Sequence, residues 1–163
     1  MSALRDEIKK QSDWIVKTFD TDGLKLDYTV KSFVKIDKFF ELHSKNGKPI
    51  PGGKLSQDLE VTIFSIGSYI GETILKSVQR AVWKTNDNDP QGKMTASIKL
   101  PDGTVFWPMR KTMRRFQNCS GNSFYSYGHN LISKYVNEPF DQTLEVFKSK
   151  DLQKSKKPWW KFW

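Results

Sequence analysis

Two carboxylates stand in otherwise apolar stretches of this chain, Asp37 in FVKIDKFF and Glu72 beside Gly71. A pair of buried acids is one way to build general acid and base catalysis. Their spacing is not diagnostic of it. A structural role accounts for each equally well, with the carboxylate accepting from a backbone N–H, a tryptophan N–H or an arginine between packed helices. His129 lies in YSYGHNL, with Tyr125, Tyr127 and Cys119 near in sequence, an arrangement that invites a Cys-His nucleophile. No orienting group or local signature accompanies it, so a packed histidine is the simpler reading and no catalytic residue is assigned. Neither glycine-rich phosphate loop, GxGxxG nor GxxxxGK[ST], occurs.

A sharper feature is PMRKTMRRF. On a helix, Arg110, Lys111, Arg114 and Arg115 form adjacent cationic rows, while Met109, Met113 and Phe116 form the other side. Such a face suits an acidic protein surface or phosphates, although cations on an amphipathic helix are also its ordinary solvated side. The C-terminal segment sets Lys154, Lys156, Lys157 and Lys161 among Trp159, Trp160, Phe162 and Trp163. That mixture fits a membrane interface or stacking on single-stranded nucleic acid, or a segment docked on the domain itself. The candidate binding residues are therefore Arg110, Lys111, Arg114, Arg115, Trp159 and Trp160.

These residues need elements to position them. Leu4, Ile8, Ile15 and Phe19 recur at helical spacing, with Trp14 near the same side, and predict a first helix over 4–19 that ends at the turn DTDG. Asp27 caps a second helix over about 28–43, striped by Val30, Phe33, Val34, Ile36, Phe39 and Phe40. KNGKPIPGGK, 45–54, reads as a loop. Ser56 is the expected cap of one long helix over 59–83, with Asp58 and Glu60 at its positive end. That helix places Gly67 and Gly71 four residues apart. Each interior glycine costs about 1 kcal/mol relative to alanine, so the pair predicts a backbone or a large aromatic pressed against that face. Alternation over 94–100 predicts a half-buried strand, PDGT a turn, and Val105–Trp107 a returning strand, with Trp83 near a third. Pro108 opens a short helix through Cys119, and Asn122 or Ser123 starts a last one through about Val136.

The 163 residues fit one α+β domain over 1–147, about five helices on a small antiparallel sheet of two or three strands, followed by a basic Trp-rich tail over 148–163. One cysteine and two distant histidines supply no disulfide framework and no metal spacing, and no cofactor is expected. No run reaches the roughly 18 apolar residues of a membrane span, and the start carries no apolar signal core, so the expected compartment is the cytoplasm. Of the net charge of +9, the tail holds +5, leaving a mildly basic body. This weakens a whole-surface argument for nucleic acid.

Taken in order, LDYTVKSFVKID, SIGSYIGE, Trp83, LPDGTVFWP and the basic helix at 109–115 resemble small bacterial domains of unknown function, in which an LDYS-like helix precedes a YxGE-like helix and a strand pair ending in proline. The resemblance spans about 24–135, and such domains are similar to immunity proteins of bacterial contact-dependent toxin systems. It implies a bacterial protein-binding protein that neutralises a cognate toxin, and without a recognisable catalytic constellation the chain is not expected to be an enzyme. A nucleic-acid module using the basic helix and the tail is the alternative. The tail lies outside the resemblance.

Overall fold

The computed structural model describes residues 2–117 and 123–145. Among the described residues, six α-helices and two small antiparallel sheets make up an α+β fold. The central element is α3 (Leu59–Ser77), buried on every side from Thr62 to Ile74, as expected of a helix that is apolar all round. The α1 helix (Ala3–Thr21) runs along it with Leu4, Ile8, Ile15 and Phe19 buried, and Gln11 accepts a hydrogen bond from Ser65 at 2.9 Å. Trp14 lies on the outer side of α1.

After a 3-10 turn at Val30–Ser32 comes α2 (Phe33–His43). It starts five residues later than the sequence predicts. Tyr28 has φ 61°, and Asp27 accepts from the Thr29 N–H and hydroxyl, bracing the turn instead of capping the helix. The segment expected to be a loop opens with a hairpin, β1 (Ser44–Lys45) on β2 (Lys48–Pro49). Asn46 and Gly47, at φ 54° and 74°, supply the two left-handed residues of its tight turn. Ser56 belongs to a separate 3-10 turn, and Asp58 holds the N-cap position of α3.

The α3 helix ends at Ser77, not at residue 83. Arg80, at φ 69°, turns the chain back, so that β3 (Val82–Lys84) lays Trp83 across the helix it has just left. A Cβ on Gly71 would stand 2.2 Å from Trp83 Cζ2, and one on Gly67 would stand 2.8 Å from the Met109 Cα. The glycine pair thus admits one large aromatic and one backbone, the close neighbours that its spacing predicts.

A single turn, α4 (Gly92–Thr95), occupies the start of the predicted strand. The strand itself is β4 (Ser97–Lys99), central in the order β3-β4-β5, with β5 at Val105–Phe106. Then follow α5 (Pro108–Gln117) and α6 (Phe124–Ile132), the latter capped by Ser123, which accepts from the Ser126 N–H at 3.0 Å. Trp159, Trp160 and the whole tail, together with Cys119, Asn122 and Phe147, lie outside the described residues.

Candidate functional site: a cationic and aromatic groove beside the sheet

The two candidate carboxylates are both engaged in packing. Asp37 reaches the start of α6, where it accepts from the N–H groups of Phe124 at 2.9 Å and Tyr125 at 3.4 Å, with Arg115 Nε 3.8 Å away. Glu72 is ion-paired with Arg5 and accepts the Trp83 indole N–H at 3.2 Å, while the Arg5 guanidinium sits over the same indole at 5.7 Å. A buried carboxylate is tolerated only with such partners. His129 is likewise a packing residue: its Nε2 meets the Glu138 carbonyl at 2.8 Å, and its ring stands edge-on to Phe140.

The basic helix divides differently from the sequence reading. Met109, Thr112 and Phe116 are buried, and the Thr112 hydroxyl donates to the Pro108 carbonyl at 2.8 Å. Arg115 lies three residues from Thr112 and seven from Pro108, so it falls on the inward side. Its side chain is only 12% exposed, beside Asp37. It is a structural cation and leaves the outward face to Arg110, Lys111 and Arg114.

That face continues into aromatic residues that the sequence reading did not select. Arg110 lies 5.8 Å from the centroid of Trp107, which is 41% exposed, and the Lys111 ammonium lies 4.4 Å from that of Tyr127. Together with Arg114, Val105 and Phe106 these side chains line a groove of about 310 Å³. Phe106 is buried and stands edge-on to Tyr127 at 6.3 Å. Burial pushes the Tyr127 hydroxyl above its ordinary pKa, with the Arg114 charge pulling the other way. The sheet extends the patch: Val82 pairs with Lys99 and Lys99 with Val105. This row faces outward, leaving Val82 and Val105 exposed, while Trp83, Ile98 and Phe106 face the core. The signal for Trp107 was its place two residues after Val105, on the same face of the strand, and four before Lys111.

Arg110 and Arg114 stand one turn apart, and neither makes an ion pair with a described residue. Such a like-charge pair costs the helix about 0.2–0.5 kcal/mol. An anionic group placed between them would remove that repulsion and gain charge-assisted hydrogen bonds from both guanidiniums.

The chain matches no known family, no curated protein and no solved structure. Among the described residues, no cluster of three or more His, Cys, Asp or Glu can hold a metal ion, and no helix is long and apolar enough to cross a membrane.

Proposed function

We propose that this chain is a binding protein that engages an acidic surface of a protein partner through the Trp107–Arg114 face, acting as an immunity protein that neutralises a cognate toxin. The observation that carries the binding role is the groove itself, in which an exposed tryptophan, two guanidiniums one turn apart and a lysine over a tyrosine converge next to exposed Val82 and Val105. Tryptophan, tyrosine and arginine dominate the energetics of protein interfaces, and exposed aliphatic side chains beside them add area that can be desiccated on contact. The toxin-neutralising role rests on the resemblance of the helix and strand motifs to small bacterial immunity domains.

The test is a quantitative pull-down from the native cell, with the parent chain and Arg110→Glu/Arg114→Glu as parallel baits and nuclease added to half of each sample. A protein enriched by the parent at least about tenfold over the charge-reversed bait, nuclease or not, supports the proposal. Retention that nuclease abolishes transfers the face to nucleic acid, and equal retention by the two baits removes it from binding altogether.

A further inference from the structure

A second concave site lies where the first turn of α1, the start of α3, α4 and the loop before it meet Met113 of α5, enclosing about 540 Å³. Sites for small molecules span about 300–1,000 Å³. Its floor is apolar, with Leu4, Ile63, Met94 and Met113. Leu4 belongs to the smaller hydrophobic cluster with Ile8, Phe64, Ala96 and Met109, against which the partly buried Met94 packs. Methionine adapts its shape to what it meets, which suits the wall of a binding site.

The rim has the opposite sign to the rest of the protein. Among the lining residues Glu7, Glu60, Asp87 and Asp89 outnumber the one cation, Lys93, so the lining carries −3 in a chain of net +9, and Arg110 acts on Asp89 from outside it. Two of these carboxylates are fixed in place. Asp87 accepts from the N–H groups of Ala3 and Leu4 at 3.1 and 3.2 Å, and Asp89 from the Gln91 N–H and the Thr95 hydroxyl at 2.9 and 2.8 Å. Those bonds, chiefly the one from Gln91, hold the Asp89 carboxyl below its ordinary pKa, so it stays charged. Lys93 displays the recognition chemistry: its ammonium pairs with Glu7 at 2.8 Å and lies 5.2 Å from the Phe64 ring centroid. Its side chain is mostly exposed, so it can withdraw and leave Glu7 to another cation.

We infer that this cleft binds a cation carried on an apolar stem, the stem against Leu4, Ile63 and the two methionines and the ammonium or guanidinium among the carboxylates. The source is either a free amine or a basic side chain next to an aromatic one in a polypeptide. The probes are 3-phenylpropylammonium for the first and N-acetyl-Trp-Lys-amide for the second, with 3-phenylpropionate as the oppositely charged control. They are titrated into the full chain carrying ¹³C-methyl methionine, with Met109, which is fully buried, as the internal reference.

Binding of either cationic probe should shift the Met94 and Met113 methyl signals saturably, and the tighter of the two names the source. Glu60→Gln should weaken it by about threefold, as for a partly exposed charge pair. Lys93→Met should strengthen it by a similar factor, because it frees Glu7. Lys93→Met carries the discriminating result, since an anion site would lose affinity with the one cation of its lining. Phenylpropionate binding as tightly as the amine, weaker amine binding by Lys93→Met, or no saturable shift from either cationic probe would overturn the inference.

Discussion

Replacing Gly71 with alanine sets two contributions of opposite sign against each other. Removing an interior helical glycine favours the helix by about 1 kcal/mol. The added Cβ would stand 2.2 and 2.3 Å from Cζ2 and Cη2 of Trp83, far inside the optimal carbon contact of about 3.5–4.0 Å. The indole therefore has to move by more than about 1 Å. It is held from several sides. Its strand pairs with Ile98, whose Cδ1 lies 3.1 Å from the same Cβ position, and its N–H donates to Glu72. Displacement weakens a hydrogen bond to a charged group, worth about 1.5–3 kcal/mol, and adds overpacking of about 1–3 kcal/mol. Gly71→Ala should therefore destabilise by about 2–3 kcal/mol net, lowering the melting temperature by about 5–10 °C. The cause is separable in a double-mutant cycle. In a Trp83→Ala background the indole clash is gone and only the Ile98 methyl at 3.1 Å has to give against the helix preference, so the same substitution should be neutral or stabilise by up to about 1 kcal/mol, a coupling of about 2–4 kcal/mol. Urea titrations followed by far-ultraviolet circular dichroism give all four stabilities. An unchanged or raised stability of Gly71→Ala, or an equal loss in both backgrounds, would refute the close-approach account.

At Gly67 the obstacle is mainly backbone, Met109 Cα at 2.8 Å and N at 3.0 Å, with the Met109 Cγ at 2.9 Å; Gly67→Ala should cost about 2 kcal/mol or more, and shortening the Met109 side chain should rescue it only in part in thermal melts, because the backbone contacts remain. Asp37→Ala leaves the Phe124 and Tyr125 N–H groups without their acceptor and Arg115 without its paired carboxylate, so it should lower stability by about 2–3 kcal/mol in the same titrations. Arg115→Met, which keeps the apolar stem, should cost about 1 kcal/mol, whereas Arg110→Met on the exposed face should stay within about 0.5 kcal/mol. Arg110→Glu/Arg114→Glu should slow association with the captured partner, measured by surface plasmon resonance at two salt concentrations, while its melting temperature stays near that of the parent. An association rate unaffected by both the reversal and added salt would remove electrostatics from recognition.

What was legible in the chain was whatever a local cost betrayed. Two interior glycines in an apolar helix make sense only against close neighbours, and Trp83 and the Met109 backbone are those neighbours. Asp37 and Glu72, acids among apolar residues, needed donors, and each found a combination of backbone N–H, indole N–H or arginine. What escaped was set by tertiary packing without a local mark. The end of α3 at Ser77 carries neither glycine nor proline; the chain leaves the helix because a left-handed Arg80 lets Trp83 return to Gly71 and pair with Ile98. The inward turn of Arg115 has a mark visible only once the buried row is known, its spacing of three from Thr112 and seven from Pro108. The hairpin at Asn46-Gly47 carried its usual turn signal, obscured by the prolines and glycines that follow it.

The same contacts that hide one side of α5 fix the other. The Met109 backbone is seated in the Gly67 notch, Arg115 is held beside Asp37, and Phe116 lies in the main core. A helix held in its first turn and in its last cannot roll, so Arg110, Lys111 and Arg114 keep a set direction relative to Trp107 and the outer row of the sheet. Side chains presented this way lose less entropy on association than the same residues on a loose segment would, because the backbone carrying them is already ordered. The close packing at Gly67 and the buried Asp37–Arg115 contact therefore serve recognition as well as stability: they turn a run of cations, common on solvated helices, into a patch of fixed geometry.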